Sequence, residues 1–291
     1  MLAAERVTSL ILVGTSGWSH DEWVGPFYPV SLRDAPHAWL AHYARRFRTV
    51  EITSTFDAFP DEDLVAAWSA QGVALADAGV PFEFSVHLPR AATHDALARG
   101  DVQRAWELAA RFERHVLEPL ADEGLLGAVL VRLPSEVAPS AAAARDVREV
   151  LSALAGRSVA LDLAHPAWAP GGEPSPAALD LLTNGDVCLA RTDAPGAPPV
   201  AAVPPSRHAF VRLLGRGPGD APHDHLYGAA GLGAWAERAR GEAAEGRTVR
   251  AYFANVPRAK APSDAITLLH LLGEATDVAA LRVTEQSTLP L

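Results

Sequence analysis

Two carboxylates in this sequence interrupt apolar runs. Glu51 lies within "TVEITSTF" and Asp162 within "VALDLAHPAW", each between aliphatic neighbours. Burying a carboxylate costs free energy unless a cation or a hydrogen-bond donor accompanies it. Each is therefore either an acid–base group of a site or half of a structural ion pair. Arg212, in "AFVRLLG", is the natural cationic partner of either carboxylate and could equally bind an anionic ligand.

Imidazole groups also follow the apolar runs, and imidazoles with carboxylates suit zinc, manganese or iron. The residues that could contribute to such a site are His87, His94, His165, Glu51, Asp162 and Asp193. No H-x-H, H-E-x-x-H or C-x-x-C spacing is present. A divalent metal is therefore an alternative, and no motif requires a cofactor.

The candidate site combines polar and aromatic residues at the ends of the predicted strands. The acid–base candidates are Glu51, Asp162, His94 and Asp193. The ligand-binding candidates are Thr15, Ser16, Trp18, Trp23, His87, His165, Arg191, Arg212 and Asn255. Successive side chains of a strand point to opposite faces, so roughly half of such positions face away from any one site.

The elements that position these residues are eight short apolar runs, separated by segments with apolar residues at steps of three and four. The runs are Leu10 to Val13, Thr49 to Ile52, Phe82 to Leu88, Ala128 to Leu133, Val159 to Leu163, Val187 to Ala190, Phe210 to Leu214 and Val249 to Phe253. This alternation predicts an α/β fold of parallel βαβ units. Eight units suit a single (β/α)₈ TIM-type barrel, which takes roughly 250 residues.

We expect residues 1–291 to form one such domain. The crossover after the sixth run is predicted to be irregular, because Asp193 to Ser206 is rich in Pro and Ala. A doubly wound open sheet is the competing architecture. It is disfavoured because "VGTSGW", after the first run, lacks the G-x-G-x-x-G of dinucleotide-binding sheets.

Two loops add to the candidate site. "VGTSGWSHDEWVGPFYP", Val13 to Pro29, concentrates aromatic residues after the first run, and either lines the site or plugs the top of the barrel. "GRGPGD", Gly215 to Asp220, follows the seventh run, where many barrels bind phosphate through backbone N–H groups. The competing interpretation is a rim loop whose glycines serve only its turns.

Composition narrows the classes of partner. The formal net charge is -10, with 49% hydrophobic and 21% charged residues. The negative charge argues against nucleic acid and anionic membranes, so we expect a small polar or anionic molecule as partner. The single cysteine, Cys188, suits a reducing compartment, and we expect a cytoplasmic protein. The only lysine, Lys260, follows a loop sequence, which argues against Schiff-base chemistry. The sequence does not indicate an oligomeric state.

Read together and in order, these stretches resemble the YecE-like family, a bacterial group of unknown function with a TIM-barrel fold. The resemblance rests on "GTSGWSHDEWVGPFYP", "YARRFRTVEITSTF", "FEFSVHLPRAATH", "LVRLPSEV", "ALDLAHPAW", "TDAPG", "FVRLLGRG" and "YFANVPRAKAPSDA". The chain departs from the family pattern at strand ends, at His20, Asp57, His87, Arg132, Asp162, Ala164 and Leu214. A strand-three Lys, a strand-five Arg and a strand-seven His of the family are thus replaced together.

Our leading hypothesis is a barrel enzyme acting on a small polar, phosphorylated or sugar-like ligand. Glu51 and Asp162 would then transfer protons, Arg191 and Arg212 would bind an anion, and Trp18 and Trp23 would stack on the ligand. The alternatives are a ligand- or partner-binding barrel without catalysis, and a metal-dependent hydrolase or isomerase. The leading hypothesis predicts that Glu51→Gln abolishes turnover and leaves thermal stability nearly unchanged.

Overall fold

The structure is a computed structural model, and it describes residues 10–183, 186–195 and 206–274. All eight predicted runs form strands, and one further strand follows the sixth run. The strands are β1 (Ile11–Thr15), β2 (Thr49–Ile52), β3 (Glu83–His87), β4 (Leu126–Leu133), β5 (Val159–Leu163), β6 (Val187–Leu189), β7 (Arg191–Asp193), β8 (His208–Leu213) and β9 (Thr248–Phe253). Their β-branched and aromatic side chains pack well on a pleated surface.

The strands form two parallel sheets, which confirms the α/β class. One sheet has the order β2-β3-β4-β5-β6, and the other has the order β1-β9-β8-β7. Only Ala190 separates β6 from β7 along the chain. At the opposite sheet edges, Ser16 after β1 forms an isolated parallel bridge with Glu51 of β2.

Helices follow most of the strands. They are α1 (Trp39–Tyr43), α2 (Ser54–Asp57), α3 (Glu62–Asp77), α4 (Val102–Phe112), α5 (Glu118–Asp122), α6 (Ala141–Ser152), α7 (Pro176–Leu182), α8 (Gly228–Ala244) and α9 (Lys260–Leu272). Several begin at a polar cap: the Asp61 side chain accepts from the Leu64 N–H at 2.8 Å, and Ser140 accepts from the Ala143 N–H at 3.0 Å. Such caps satisfy amide groups that the first helical turn leaves without partners.

The crossover between β1 and β2 departs from a plain helix. It contains three single turns of 3₁₀ helix before the short α1, since prolines recur along this segment. The one that we predicted to be irregular, after the sixth run, falls largely on residues 196–205, outside the described residues. None of the described helices is long and apolar enough to span a bilayer.

Two apolar clusters lie on opposite faces of the strands. The larger one joins the strands to the helices and includes Val159 and Leu161 of β5. The smaller one consists of Ala128, Leu130, Ala160, Cys188, Ala190, Phe210 and Tyr252. We call the strand face that carries the smaller cluster the inner face and the helix-covered face the outer face. Burial raises the pKa of the Cys188 thiol to about 12, so this thiol is unreactive.

Candidate functional site

Polar side chains gather on the inner face where the parallel strands end. Ser16 and Glu51 meet through the bridge between β1 and β2, and Arg132 pairs in register with Asp162 across β4 and β5. We define the carboxyl-end cluster as Ser16, Glu51, His87, Arg132, Asp162 and Arg212. It unites five of the predicted site residues with Arg132, which the sequence indicated as a polar strand-end residue and as a departure from the family pattern.

Glu51 is at the centre of this cluster and is fully buried. Its Oε1 accepts from Arg212 Nε at 2.7 Å and lies 2.9 Å from His87 Nε2, while its Oε2 accepts from the Ser16 hydroxyl. Burial alone would raise the pKa of Glu51, but Arg212 and His87 outweigh burial and hold that pKa well below its ordinary value. Glu51 is therefore an ionised carboxylate with both oxygens occupied, and not a free acid or base.

His87 is the neutral member of the cluster. Its side chain is buried, and burial lowers its pKa despite the opposing effect of the Glu51 carboxylate. An ionised carboxylate can only accept a hydrogen bond, so the proton of the neutral ring is on Nε2 and is donated to Glu51. Nδ1 then carries a lone pair. This atom is buried and has no hydrogen-bond partner among the described residues.

Arg132 and Asp162 form the solvent-facing layer above Glu51 and His87. Arg132 Nε lies 3.3 Å from Asp162 Oδ2, and their side chains are 36% and 18% exposed. Asp162 is also 3.9 Å from Arg212 NH1. The Arg132 guanidinium carbon lies 4.7 Å from the centre of the Phe56 ring, whose centroid is 6.1 Å from that of His87. Phe56 therefore lies beside both the Arg132 guanidinium and the His87 ring.

Sequence reasoning missed Phe56 as a site residue. The available signal was its position directly after the polar end of β2, in "ITSTF". Phe56 also links the cluster to His94, because the centroids of these two rings are 5.1 Å apart. His94 is half-buried, and its Nδ1 is 2.9 Å from the Thr93 hydroxyl. His94 thus lies beside the carboxyl-end cluster but makes no direct contact with Glu51.

Arg191 and Asp193, predicted as anion-binding and acid–base residues, lie on the outer face. Arg191 is 5% exposed and forms a two-pronged ion pair with Glu242 of α8, with NH2 2.6 Å from Oε2. Asp193 accepts from Arg216 Nε at 3.0 Å and from the Tyr227 hydroxyl at 2.7 Å. The strand alternation points these side chains at the helices, away from the cluster.

Three further candidates also make contacts away from the cluster. The Thr15 hydroxyl is 3.0 Å from the Tyr43 hydroxyl on the outer face. Asn255 donates to Asp264 Oδ2 at 2.7 Å. His165 Nδ1 accepts from the Ala167 N–H at 3.1 Å and caps a 3₁₀ turn. These side chains make structural contacts, although Asn255 Oδ1 is buried without a partner among the described residues, and the structure does not bring them together with Glu51.

The aromatic segment after β1 acts mainly as packing. Trp23 is fully buried, donates from its indole N–H to the Val256 carbonyl at 3.0 Å, and has its ring enclosed by neighbouring aromatics. Tyr28 is also fully buried and stacks on Trp39 with centroids 5.1 Å apart. Trp18 is half-buried and packs near Phe84. The expectation that Trp23 offers a stacking surface to a ligand is therefore wrong, since its ring is inaccessible.

The glycine-rich loop after β8 uses its backbone donors internally. The Gly215 N–H donates to the Tyr227 hydroxyl at 2.9 Å, and the Gly217 N–H donates to the Pro222 carbonyl at 2.8 Å. A Cβ on Gly217 would lie 2.2 Å from the Ala221 carbonyl oxygen, so glycine is required there for the close turn. These two amides are occupied, and the loop offers less to a phosphate than its sequence indicates.

The residue set that suggested a metal does not assemble. Glu51 and His87 meet, but the next charged group on Glu51 is the guanidinium of Arg212, which repels a cation. Across residues 10–183, 186–195 and 206–274, no three His, Cys, Asp or Glu side chains group so that they could hold a metal ion. The described residues of this cluster therefore do not form a set of metal ligands.

Comparison with known proteins identifies the family. A DUF72 family protein from Thermotoga maritima MSB8 has 24% sequence identity and a TM-score of 0.74, with 91% of this chain and 99% of that one covered. A DUF72 family protein from Enterococcus faecalis V583 has 18% identity and a TM-score of 0.69, with 91% and 96% covered. At these identities the likeness concerns the fold alone. The comparison with curated proteins found no match. The family model described as "Protein of unknown function DUF72" matches residues 12–288, and the chain therefore belongs to the DUF72 family.

Proposed function

We propose that this protein transforms a small polar molecule at the carboxyl-end cluster, with His87 as the proton-accepting base. One observation carries the proposal: His87 Nδ1 is a buried lone pair without a partner among the described residues, on a ring whose other nitrogen donates to an ionised carboxylate. Buried polar atoms normally have hydrogen-bond partners, so an unpartnered one among charged groups indicates a functional site.

The neighbours of His87 suit this role. Glu51 selects the tautomer that has Nδ1 unprotonated, and it stabilises the imidazolium that forms when Nδ1 takes a proton. Arg212 and Ser16 hold Glu51 in place through its two oxygens. Glu51, expected from the sequence to transfer protons itself, is in this proposal the residue that positions the base.

The reaction class that we propose is removal of a proton from the carbon next to a carbonyl group. The C–H bond breaks, the proton passes to Nδ1, and the electron pair moves to the carbonyl oxygen as an enolate. Arg132, with its 36% exposed side chain, is the cation that can reach such an oxygen. Return of the proton to carbon regenerates neutral His87.

We propose that Arg132 and Phe56 form a layer that covers the His87 ring and must move for a ligand to enter. Moving Arg132 costs little, since its partly exposed ion pair with Asp162 contributes only about 0–1 kcal/mol. The covering layer would then open at little cost and exclude water when it closes again.

Solvent exchange tests the proposal. The protein would be incubated in deuterated water with hydroxyacetone, dihydroxyacetone, dihydroxyacetone phosphate and pyruvate, and deuterium on carbon would be followed by NMR. We expect protein-dependent exchange for at least one compound. His87→Gln should slow it by at least about 100-fold, the usual contribution of a general base. His94→Gln, a matched histidine change beside the cluster, should retain most of it.

Unchanged exchange in His87→Gln would contradict the assignment of the base. Binding without catalysis is the second candidate, and it is favoured by one observation: the charged groups of the cluster are already paired with one another. A compound that shifts the NMR signals of His87 and undergoes no exchange would support that alternative.

We further propose that the two sheets close into a (β/α)₈ barrel, as the sequence predicts. The Ser16 to Glu51 bridge joins one pair of sheet edges, and the Gly17 N–H donates to the Glu51 carbonyl at 2.8 Å. The chain itself joins the other edges through Ala190. We also propose a cytoplasmic location, which the single cysteine supports, and the YecE-like name for the family, which the quoted sequence motifs support.

A further inference from the structure

Thr192 is a strand-end residue of the inner face that, like His87, has a buried polar atom without a partner in the described part of the chain, and the outer-face Arg191 Nε and Asn255 Oδ1 also lack one. Its neighbours Arg191 and Asp193 contact Glu242 and Tyr227 on the outer face, so the alternation of β7 turns Thr192 to the inner face. There it pairs in register with Arg212 of β8. Its hydroxyl oxygen is buried and has no hydrogen-bond partner among the described residues.

The charges of the carboxyl-end cluster, which includes Arg212 beside Thr192, balance. Glu51 and Asp162 carry negative charge, Arg132 and Arg212 carry positive charge, and each carboxylate has a guanidinium within ion-pair distance. His87 adds no charge, because burial lowers its pKa.

His94 and Arg90 do not change this balance of charge. Burial, with Arg132 and Arg90, lowers the pKa of His94, so that ring adds no charge either. Arg90 is paired with Asp95 at 3.7 Å. A phosphate or carboxylate brought to the inner face would therefore meet two carboxylates and no uncompensated cation, which is unfavourable in a buried setting.

We propose that the ligand of this site is an uncharged hydroxyl compound, a small hydroxy-ketone, and that Thr192 determines this specificity by binding one of its hydroxyl groups. A hydroxyl both donates and accepts, so it can pair with Thr192 Oγ1, while the C–H bond next to the carbonyl group faces His87 Nδ1. Thr192 Oγ1 then gains the partner it lacks, and Nδ1 receives the proton. This inference rests on the proposed function, because it assigns the ligand of the same site.

A matched pair of probes tests the inference. Dihydroxyacetone would be compared with dihydroxyacetone phosphate. Binding would be followed through the ¹⁵N signal of His87 Nδ1, assigned by its loss in His87→Gln. We expect the uncharged member of the pair to shift this signal and its phosphate ester to bind more weakly. Thr192→Val, which removes the hydroxyl and keeps the shape, should weaken binding about five- to tenfold. Thr192→Ser should restore it.

Three results would overturn the inference: tighter binding of the phosphate ester, no shift of the Nδ1 signal with the uncharged probe, or equal affinity in Thr192→Val and the unaltered protein. Failure of the proposed function looks different. In that case dihydroxyacetone would still shift the Nδ1 signal and depend on Thr192, while deuterium exchange would be absent. Exchange on the phosphate ester alone would leave His87 as the base and remove Thr192 from its role.

Discussion

The two ends of the inner face both carry buried ion pairs, and they differ in how completely their hydrogen bonds are made. We call Thr49, Glu83, Ser85, Arg250 and Tyr252 the amino-end network. Arg250 donates to both Glu83 oxygens at 2.6 and 2.9 Å, and the Tyr252 hydroxyl is 2.8 Å from Ser85 Oγ and 2.6 Å from Thr49 Oγ1. Among the described residues, no side-chain atom of this network is buried without a partner.

The carboxyl-end cluster has a similar buried pair, Glu51 with Arg212, but the polar atoms around it are not all satisfied. His87 Nδ1 within the cluster and Thr192 Oγ1 beside Arg212 have no partners among the described residues. A completed network stabilises the fold and offers nothing to a ligand, whereas an incomplete one retains the capacity to bind. On this comparison we propose that the carboxyl ends of the strands bind a ligand and that their amino ends stabilise the fold.

The largest expected effect on stability lies at the amino end. Arg250→Met should lower the free energy of unfolding by about 3–5 kcal/mol, because it leaves the Glu83 carboxylate partly buried without its cation. Urea denaturation measures this loss. The double variant Arg250→Met, Glu83→Leu should recover much of it. Probe binding at His87 should be unchanged in whatever fraction is folded, and a loss of binding there would erase the distinction between the two ends.

Glu51→Gln should change both the stability of the protein and the tautomer of His87. The amide keeps the shape of the side chain but leaves the 5% exposed Arg212 with only the more distant Asp162, at 3.9 Å, as a counter-charge, and we expect a stability loss of about 2–3 kcal/mol. This revises the sequence-based prediction of nearly unchanged stability. The change should also release the His87 tautomer, visible as altered ¹⁵N shifts. Unchanged stability with altered tautomer would make Glu51 a purely functional residue.

Acidification should weaken the carboxyl-end cluster in two stages. His87 has a folded pKa below its unfolded value near 6.5, so the unfolded chain binds more protons and stability falls as the pH drops below about 6.5. Glu51 behaves likewise below its unfolded value near 4.5. Each group contributes at most about 1.4 kcal/mol per pH unit.

Burial also lowers the pKa values of His20, His42 and His208, so these groups add to the same pH dependence. The contribution of His87 must therefore be measured as the difference between the unaltered protein and a His87 variant. The unfolding free energy of His87→Gln, compared with that of the unaltered protein, should fall less steeply between about pH 7 and about pH 5. His115→Gln, on the protein surface, is the control. Parallel curves for His87→Gln and the unaltered protein would contradict a neutral, buried His87.

The smallest effect on stability is expected at the covering layer. Arg132→Ala removes a partly exposed ion pair and should change stability by less than about 1 kcal/mol, as should the surface control Arg145→Ala. Only Arg132→Ala should uncover the His87 ring. We expect faster acylation of His87 by diethyl pyrocarbonate, measured by mass spectrometry. Equal rates in both variants would show that Arg132 does not restrict access to His87.

Much of the fold could be predicted from local periodicity. Short runs of β-branched residues between helical patterns indicate parallel strands whatever the partners are, and all eight runs form strands. The pairing of Glu51 with Arg212 was also predictable, because a carboxylate inside an apolar run needs a cation and this arginine lies in a similar run. The break at Ala190 depends on how the sheets meet, so no local pattern predicted it, whereas the recurring prolines of the first crossover did indicate its irregular turns.

By itself, the amino-acid sequence determined which residue types lie at the strand ends and that their burial required pairing. Only the tertiary structure decided which of two adjacent residues faces the site. Ser16 rather than Thr15, and Thr192 rather than Arg191 or Asp193, lie on the inner face. The physical reason is that side chains alternate along a strand, so a shift of one residue exchanges the two faces, and the register comes from pairing between strands distant in sequence.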